Sequence, residues 1–173
     1  VARVFDEEVL LQLPGDIAVG HTRYSTTGSS LVANAQPVVI PTRLGSLALA
    51  HNGNLVNAPQ LKQSLEEADY EFISSTDSEM IAVAISQEVE SGKDWLEGAA
   101  SAFNRCQGAY SLAIGTPDGL MGVRDPHGIR PLVIGVLGEN QQHYILASET
   151  AGLDIIGAEY LRDVEPGEIV WIT

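Results

Sequence analysis

The chain has 173 residues, of which 45% are apolar, and this size and composition predict one globular domain with its own core. Its 23 acidic residues against 9 basic ones give a formal net charge of −14, so we expect no nucleic-acid binding and no binding to anionic membranes. Apolar runs too short for a bilayer span, an acidic start and a single cysteine together predict a soluble cytoplasmic protein without an intrachain disulfide.

The first half of the chain predicts two strands and a helix. Residues 17–24 alternate apolar and polar side chains, which predicts a strand that carries Arg23 to one end of a sheet. Residues 47–51 are typical of a buried strand, which we expect to end in a turn at Asn52-Gly53. A helix-start pattern then predicts a helix from residue 58 to about residue 68.

Two more helices are predicted in the centre of the chain. Residues 76–79 match a capping box with Asp77 at the first helical position, and the apolar run that follows predicts a helix to about residue 90. Asp94 opens the next helix, whose apolar stripe includes Cys106. We therefore interpret Cys106 as a small buried hydrophobe with a raised pKa, and not as a nucleophile.

The last third of the chain has the pattern of β-structure. Turn residues at 116–119 and 138–140 separate two pairs of strands, and a short helix is expected from residue 148 to about residue 155. The predicted strands are 109–115, 120–124, 132–136, 143–147 and 168–172. Strands placed early and late around central helices predict an α+β layered fold with mostly antiparallel sheets.

Three polar segments, 21–28, 51–57 and 75–79, offer the groups that a small zwitterion needs: a guanidinium, hydroxyls, a carboxylate and backbone N–H groups beside a glycine. They contain no nucleophile. From the residues alone, each segment also has a structural interpretation. Arg23 suits the edge of a sheet, Asn52-Gly53 suits a hairpin turn, and Asp77 suits the positive end of a helix dipole.

Six segments together resemble the glutaminase domain of the glutamine amidophosphoribosyltransferase family, a class II glutamine amidotransferase. They are GHTRYSTTGSS, NAQP, HNGNLVN, SSTDSE, GAYSLAI and RDPHGIRPL, and the resemblance spans essentially residues 1–173. It implies a layered αββα fold of the N-terminal-nucleophile hydrolase type. It also implies that glutamine is hydrolysed through a cysteinyl thioester, and that the ammonia passes to a C-terminal phosphoribosyltransferase domain for purine synthesis.

The resemblance implies roles for five residues. Arg23, with the hydroxyl of Thr26, pairs with the α-carboxylate of glutamine, because a planar guanidinium fork suits that anion. Asp77 accepts hydrogen bonds from the α-ammonium group. Asn52, through its side chain, and Gly53, through its backbone N–H, form the oxyanion hole.

Three neighbouring residues are interpreted as structural. We expect His51 to be a hydrogen-bonding residue rather than a base. Arg124 and Asp125, in the RDPHGIRPL segment, are expected to organise a turn between the sheets and not to contact substrate.

One departure from the family pattern affects activity. The family's nucleophile is an N-terminal cysteine, whereas this chain opens with Val1. We therefore expect a chain that begins partway through a longer protein, lacks the first strands and the nucleophile, and is inactive by itself. The transferase domain, with magnesium and a possible iron–sulfur cluster, is expected beyond Thr173, in a homo-oligomeric parent, and no cofactor is expected in the chain itself.

Two other functions are compatible with the sequence. One is another class II amidotransferase that feeds ammonia to a different acceptor. The other is a module that senses glutamine without hydrolysing it. Nucleotide binding is not indicated, because neither GxGxxG nor GxxxxGK[ST] occurs.

Overall fold

The structure is a computed structural model that describes residues 7–22, 32–140 and 142–173. These residues form eight strands and five α-helices. The strands are β1 (Val38–Thr42), β2 (Gly45–Leu55), β3 (Gly108–Thr116), β4 (Gly119–Arg124), β5 (Val133–Leu137), β6 (His143–Ala147), β7 (Glu159–Asp163) and β8 (Ile169–Ile172). The helices are α1 (Glu7–Leu11), α2 (Ala58–Glu66), α3 (Asp77–Glu90), α4 (Trp95–Phe103) and α5 (Thr150–Ile156), and a 3-10 turn covers Val32–Asn34.

The strands form two antiparallel sheets that lie face to face. The larger sheet has the order β1-β2-β3-β4-β8 and the smaller one β6-β5-β7. A Cβ placed on Gly122 of β4 would come within 2.9 Å of Leu146 of β6, so the two sheets are in direct contact there. Helices α2, α3 and α4 cover the outer face of the larger sheet, and α5 covers the smaller one. This order of layers confirms the predicted α+β fold with antiparallel sheets.

The helix α3 lies in the middle of the helical layer and is buried around its whole circumference. Five successive side chains, from Ile81 to Ile85, are at most 1% exposed. A helix that is apolar on every side must be surrounded by protein, and α3 packs against β1, β2, α2 and α4. Each fully buried aliphatic side chain contributes about 1.5 to 3 kcal/mol, so this helix and its first residue, Asp77, are firmly placed against the sheet.

The predicted turn at Asn52-Gly53 is wrong. The strand β2 continues through both residues to Leu55, because β3 provides an antiparallel partner along this whole length. Gly53 has φ +150°, and a Cβ on it would lie 2.0 Å from the carbonyl oxygen of Ala109. The glycine is therefore required by the close approach of two strands, not by a turn.

The predicted strand at 17–24 is also wrong where the structure describes it. Residues 17–22 belong to no strand, and residues 23 and 24 lie outside the described residues. Ile17 and Val19 lie against Gly115 of β3, within 3.6 Å and 2.9 Å of a Cβ placed there. Their apolar alternation reflects packing on the sheet without strand pairing.

The helix α3 begins where predicted, but the capping box is not formed. Thr76 makes no side-chain cap hydrogen bond, and its hydroxyl pairs with that of Ser74 at 2.9 Å. The carboxylate of Glu79 instead accepts from the backbone N–H groups of Ile73 at 2.9 Å and Ser74 at 2.6 Å. Glu79, which is 3% exposed, thereby fastens the preceding loop to the helix.

Asp125 organises the connection from the larger sheet to the smaller one, as predicted. The residue is 0% exposed, and its carboxylate accepts four backbone N–H groups, those of Tyr110 (3.3 Å), His127 (2.9 Å), Ile129 (3.0 Å) and Arg130 (3.2 Å). Arg124 donates to the carbonyl oxygens of Gly128, Arg130 and Val164. Burial raises the pKa of Asp125, but the four backbone donors outweigh burial and hold the pKa below its usual value.

Within the described ranges, no helix combines the length and the apolar character needed to cross a bilayer.

The Asp125→Asn variant is expected to lose about 3 kcal/mol of unfolding free energy at pH 7, because an amide places N–H groups against buried backbone donors. The folded pKa of Asp125 is depressed, so its stabilisation is present above the unfolded pKa of about 3.9 and is lost as the pH falls through the folded pKa. Urea unfolding between pH 7 and pH 3 should therefore show that the difference in unfolding free energy between wild type and variant becomes smaller in acid. The expectation would be contradicted if this difference were the same at every pH. It would also be contradicted if the exposed control Asp154→Asn lost as much unfolding free energy as Asp125→Asn.

Candidate functional site

One cavity collects the described parts of all three polar segments. Its volume is about 850 Å³, and residues 20–22, 51–54 and 75–78 line it. The strand β2 and the N-terminus of α3 form adjacent walls. The fold therefore brings together segments that are separate in the sequence.

Asp77 is held by two groups of β2. Its Oδ2 accepts the backbone N–H of Leu55 at 2.9 Å, and its Oδ1 lies 3.4 Å from Nδ1 of His51. Burial raises the pKa of Asp77, but the interaction with His51 and the backbone N–H groups of Leu55 and of Asp77 itself outweigh burial, so the pKa is lower than usual. Asp77 is thus a carboxylate ionised at neutral pH, with 19% of its side chain exposed.

The edge of β2 offers a backbone donor to the cavity. Within the described residues, β1 pairs with β2 only as far as Leu49. Past that point, alternate backbone N–H groups of β2 point to an edge without a neighbouring strand. The N–H of His51 there donates to Gln36 Oε1 at 2.6 Å, and that of Leu55 donates to the carboxylate just described. Gly53 lies between them, so its N–H points to the same edge, as an oxyanion donor requires.

The pairing with β3 supports this orientation. The N–H of Val56 donates to the carbonyl oxygen of Gln107 at 2.8 Å, on the β3 side of the strand. Groups of even-numbered residues at this end of β2 therefore point toward β3, and those of odd-numbered residues point away from it. Asn52 is exposed and lines the cavity next to Gly53.

The structure describes three of the five predicted site residues. Asn52, Gly53 and Asp77 all line the cavity, whereas Arg23 and Thr26 lie outside the described residues. The cavity also includes Arg130 and Ser148, to which the sequence analysis gave no site role.

The backbone of Arg130 is held by two hydrogen bonds to described residues. Its N–H donates to Asp125 at 3.2 Å, and its carbonyl oxygen accepts from Arg124 Nε at 2.9 Å. The RDPHGIRPL motif contains the residue, but nothing in the local sequence shows that this loop folds over the cavity. Arg130 is exposed and adds a positively charged residue to the lining of the cavity.

Cys106 is not part of the cavity wall. The thiol is buried, and its Sγ lies 3.5 Å from the carbonyl oxygen of Ala102. Burial raises the pKa of Cys106 to about 11, which confirms the expected buried hydrophobe. Among the described residues, no group of three or more His, Cys, Asp and Glu side chains could hold a metal ion.

Relatives of known identity cover the whole chain. An amidophosphoribosyltransferase from Synechocystis sp. is 66% identical over an alignment of 174 positions, which covers 100% of this chain and 35% of that protein. An amidophosphoribosyltransferase from Methanocaldococcus jannaschii is 43% identical, over 99% of this chain and 36% of that protein. The chain thus spans about a third of the length of the curated relatives it matches.

Solved structures agree with these relatives. The glutamine phosphoribosylpyrophosphate amidotransferase of B. subtilis, solved with ADP and GMP, has a TM-score of 0.77 and 42% identity, over 87% of this chain and 31% of that one. A structure described as the allosteric regulatory enzyme of purine biosynthesis has a TM-score of 0.78 and 43% identity, over 87% of this chain and 32% of that one. The described fold is therefore the N-terminal-nucleophile hydrolase fold that the resemblance implied.

A family profile matches most of the chain as well. The profile is that of the glutamine amidotransferase domain, and it covers residues 21–154, which include every described part of the cavity named above except residue 20. The chain belongs to the glutamine amidotransferase domain family.

Proposed function

We propose that this chain is the glutamine-binding part of an amidophosphoribosyltransferase, and that it helps to release the amide nitrogen of glutamine as ammonia for 5-phosphoribosylamine synthesis in purine biosynthesis. One observation carries the proposal: a single cavity presents the ionised carboxylate of Asp77 and the outward N–H of Gly53. The first group suits an ammonium ion and the second suits an oxyanion. Glutamine has an α-ammonium group, and its amide oxygen becomes an oxyanion during hydrolysis.

The substrate is proposed to lie with its α-ammonium at Asp77. Its α-carboxylate would pair with Arg23 and the hydroxyl of Thr26, as the resemblance implies. Its amide carbonyl would lie against the edge of β2, where the side chain of Asn52 and the N–H of Gly53 donate to the oxygen.

The chemical step is proposed to use a cysteine of the parent protein. Its thiolate attacks the amide carbon, the carbonyl oxygen becomes an oxyanion, and the C–N bond then breaks as the nitrogen takes up a proton and leaves as ammonia. Water hydrolyses the resulting thioester to glutamate and restores the thiol. Asn52 and Gly53 stabilise the oxyanion, and a single donor of this kind is worth about 3 kcal/mol in the transition state.

The parent is proposed to be a cytoplasmic homo-oligomer with a C-terminal phosphoribosyltransferase domain. The relatives support a further domain, because about two thirds of their length lies outside the region matched here. Magnesium and a possible iron–sulfur cluster would belong to that remainder. Neither another acceptor nor a purely sensing role is favoured, since the relatives described above are all amidophosphoribosyltransferases.

The proposal can be tested by grafting the 173 residues into the Synechocystis enzyme in place of its matched region. The Asn52→Ala variant should lower kcat with glutamine by about a hundredfold or more, while KM for glutamine stays nearly constant, because oxyanion donors act on the transition state. Product formation from added ammonia should be unchanged. The exposed Asn140→Ala serves as the control.

The Asp77→Asn variant of the same graft should mainly affect KM for glutamine and not kcat. An amide cannot offer an ionic acceptor to the α-ammonium group, so KM for glutamine should rise much more than kcat falls. Steady-state kinetics with glutamine and with ammonia separate the two effects. A graft that uses ammonia but never glutamine would contradict the proposed function, and an Asn52→Ala variant that loses binding as much as turnover would contradict the oxyanion role.

The chain alone is expected to release no ammonia from glutamine, because its one thiol is buried and has a pKa of about 11. At about pH 8 only roughly one part in a thousand of such a thiol is thiolate. Iodoacetamide should therefore modify Cys106 slowly in the folded chain and rapidly in urea, as mass spectrometry would show. Ammonia release that disappears when Cys106 is modified would overturn the assignment.

A further inference from the structure

His51 is a buried residue whose ring faces Asp77. It is 4% exposed, and its Nδ1 lies 3.4 Å from Asp77 Oδ1 and 3.3 Å from Ser78 Oγ. Its Nε2 is buried and has no hydrogen-bond partner among the described residues. A buried polar atom without a partner is uncommon, and here the polar contacts of the ring to the described residues are all made by Nδ1.

The neighbouring carboxylate decides which nitrogen carries the proton. Because Asp77 is ionised, a lone pair on Nδ1 would face a negatively charged oxygen. A proton on Nδ1 makes the same contact attractive, and the N–H then lies between the carboxylate and Ser78 Oγ, a hydroxyl that can accept as well as donate. Nε2 then carries the lone pair, which avoids a buried N–H donor without an acceptor.

We propose that His51 is a positioning residue that donates from Nδ1 to Asp77 and aims the carboxylate at the α-ammonium group of the substrate. The proposal rests on the proposed function of the cavity. His51 and Leu55, both in β2, hold the two oxygens of Asp77, one each. With both oxygens fixed in this way, the carboxylate has one orientation toward the cavity.

The same strand also carries the proposed oxyanion donor. Gly53 lies midway between His51 and Leu55, so the distance from the ammonium site to the N–H of Gly53 is set by the geometry of one strand. His51 thereby determines specificity for an α-amino group. A ligand without that group does not pair with the oriented carboxylate, so substitution of His51 should not change its affinity.

Binding of two ligands to the 173-residue chain tests this by calorimetry: glutamine, and its analogue without the α-amino group, glutaramic acid. His51→Gln should weaken glutamine binding by about tenfold, because its amide reaches the position of Nε2. His51→Asn should stay within about threefold of wild type, because its amide nitrogen takes the position of Nδ1. Binding of the analogue should change by less than about twofold in both variants.

The control variant is His143→Gln, at an exposed position of β6, which should bind both ligands as wild type does. Equal losses for glutamine and for the analogue would overturn the proposal, since a merely structural histidine would affect both. Better binding by His51→Gln than by His51→Asn would overturn it as well. In a double-mutant cycle with Asp77→Asn, additive losses would show that His51 does not act through Asp77.

The tautomer provides a test that requires no variant to fold. Long-range ¹H–¹⁵N spectra of the wild-type chain should show His51 with a protonated Nδ1 and an unprotonated Nε2. The opposite tautomer would overturn the proposal. Absence of glutamine binding by a wild-type chain that has the expected tautomer would contradict the proposed function of the cavity and leave the contact between His51 and Asp77 standing.

Discussion

The structure depends on the unequal lengths of the strands around β2. β3 pairs with β2 as far as Leu55, whereas β1 pairs with it only as far as Leu49. In the described part of the chain, the end of β2 is therefore paired with a strand on one side and has no neighbouring strand on the other. A backbone edge normally needs a partner for each N–H group, and here side chains of Gln36 and Asp77 take two of them. The N–H of Gly53 lies between them, has no hydrogen-bond partner among the residues that the structure describes, and is positioned by a sheet.

Burial of α3 places the charged group opposite this edge. The apolar run 80–85 of the helix is buried on every side, and the helix packs against both β1 and β2, so its axis cannot shift without loss of core contacts. Its first residue, Asp77, consequently meets the N–H of Leu55 at a fixed distance. The helix N-terminus also favours the ionised carboxylate. Hydrophobic packing of α3 thus fixes the position of the Asp77 carboxylate, and local electrostatics keeps it ionised.

Much of the architecture could be predicted from the sequence, and the failures have physical causes. Local patterns located these elements closely: helix-start residues and apolar periodicity for α2 and α4, an apolar run after a polar start for α3, and turn residues for the hairpin of β3 and β4. β1 and β7 were not predicted, since the first is a short edge strand containing Pro41 and the second is exposed along its length. The error at Gly53 arose because a glycine needed for close strand contact looks the same, locally, as a glycine needed for a turn. Arg130 and Ser148 reach the cavity only through the packing of the two sheets.

A comparison of Asp77 with Asp125 shows how a carboxylate that is available to a ligand differs from one that has a structural role. Both are charged, and backbone N–H groups help to lower the pKa of both. A carboxylate offers about four acceptor positions. Asp125 gives all of its capacity to four backbone donors and is 0% exposed, so it can only fix a loop. Asp77 receives fewer donors and keeps 19% of its side chain exposed. Its remaining capacity faces the cavity, and it is this unfilled share that an ammonium group can use.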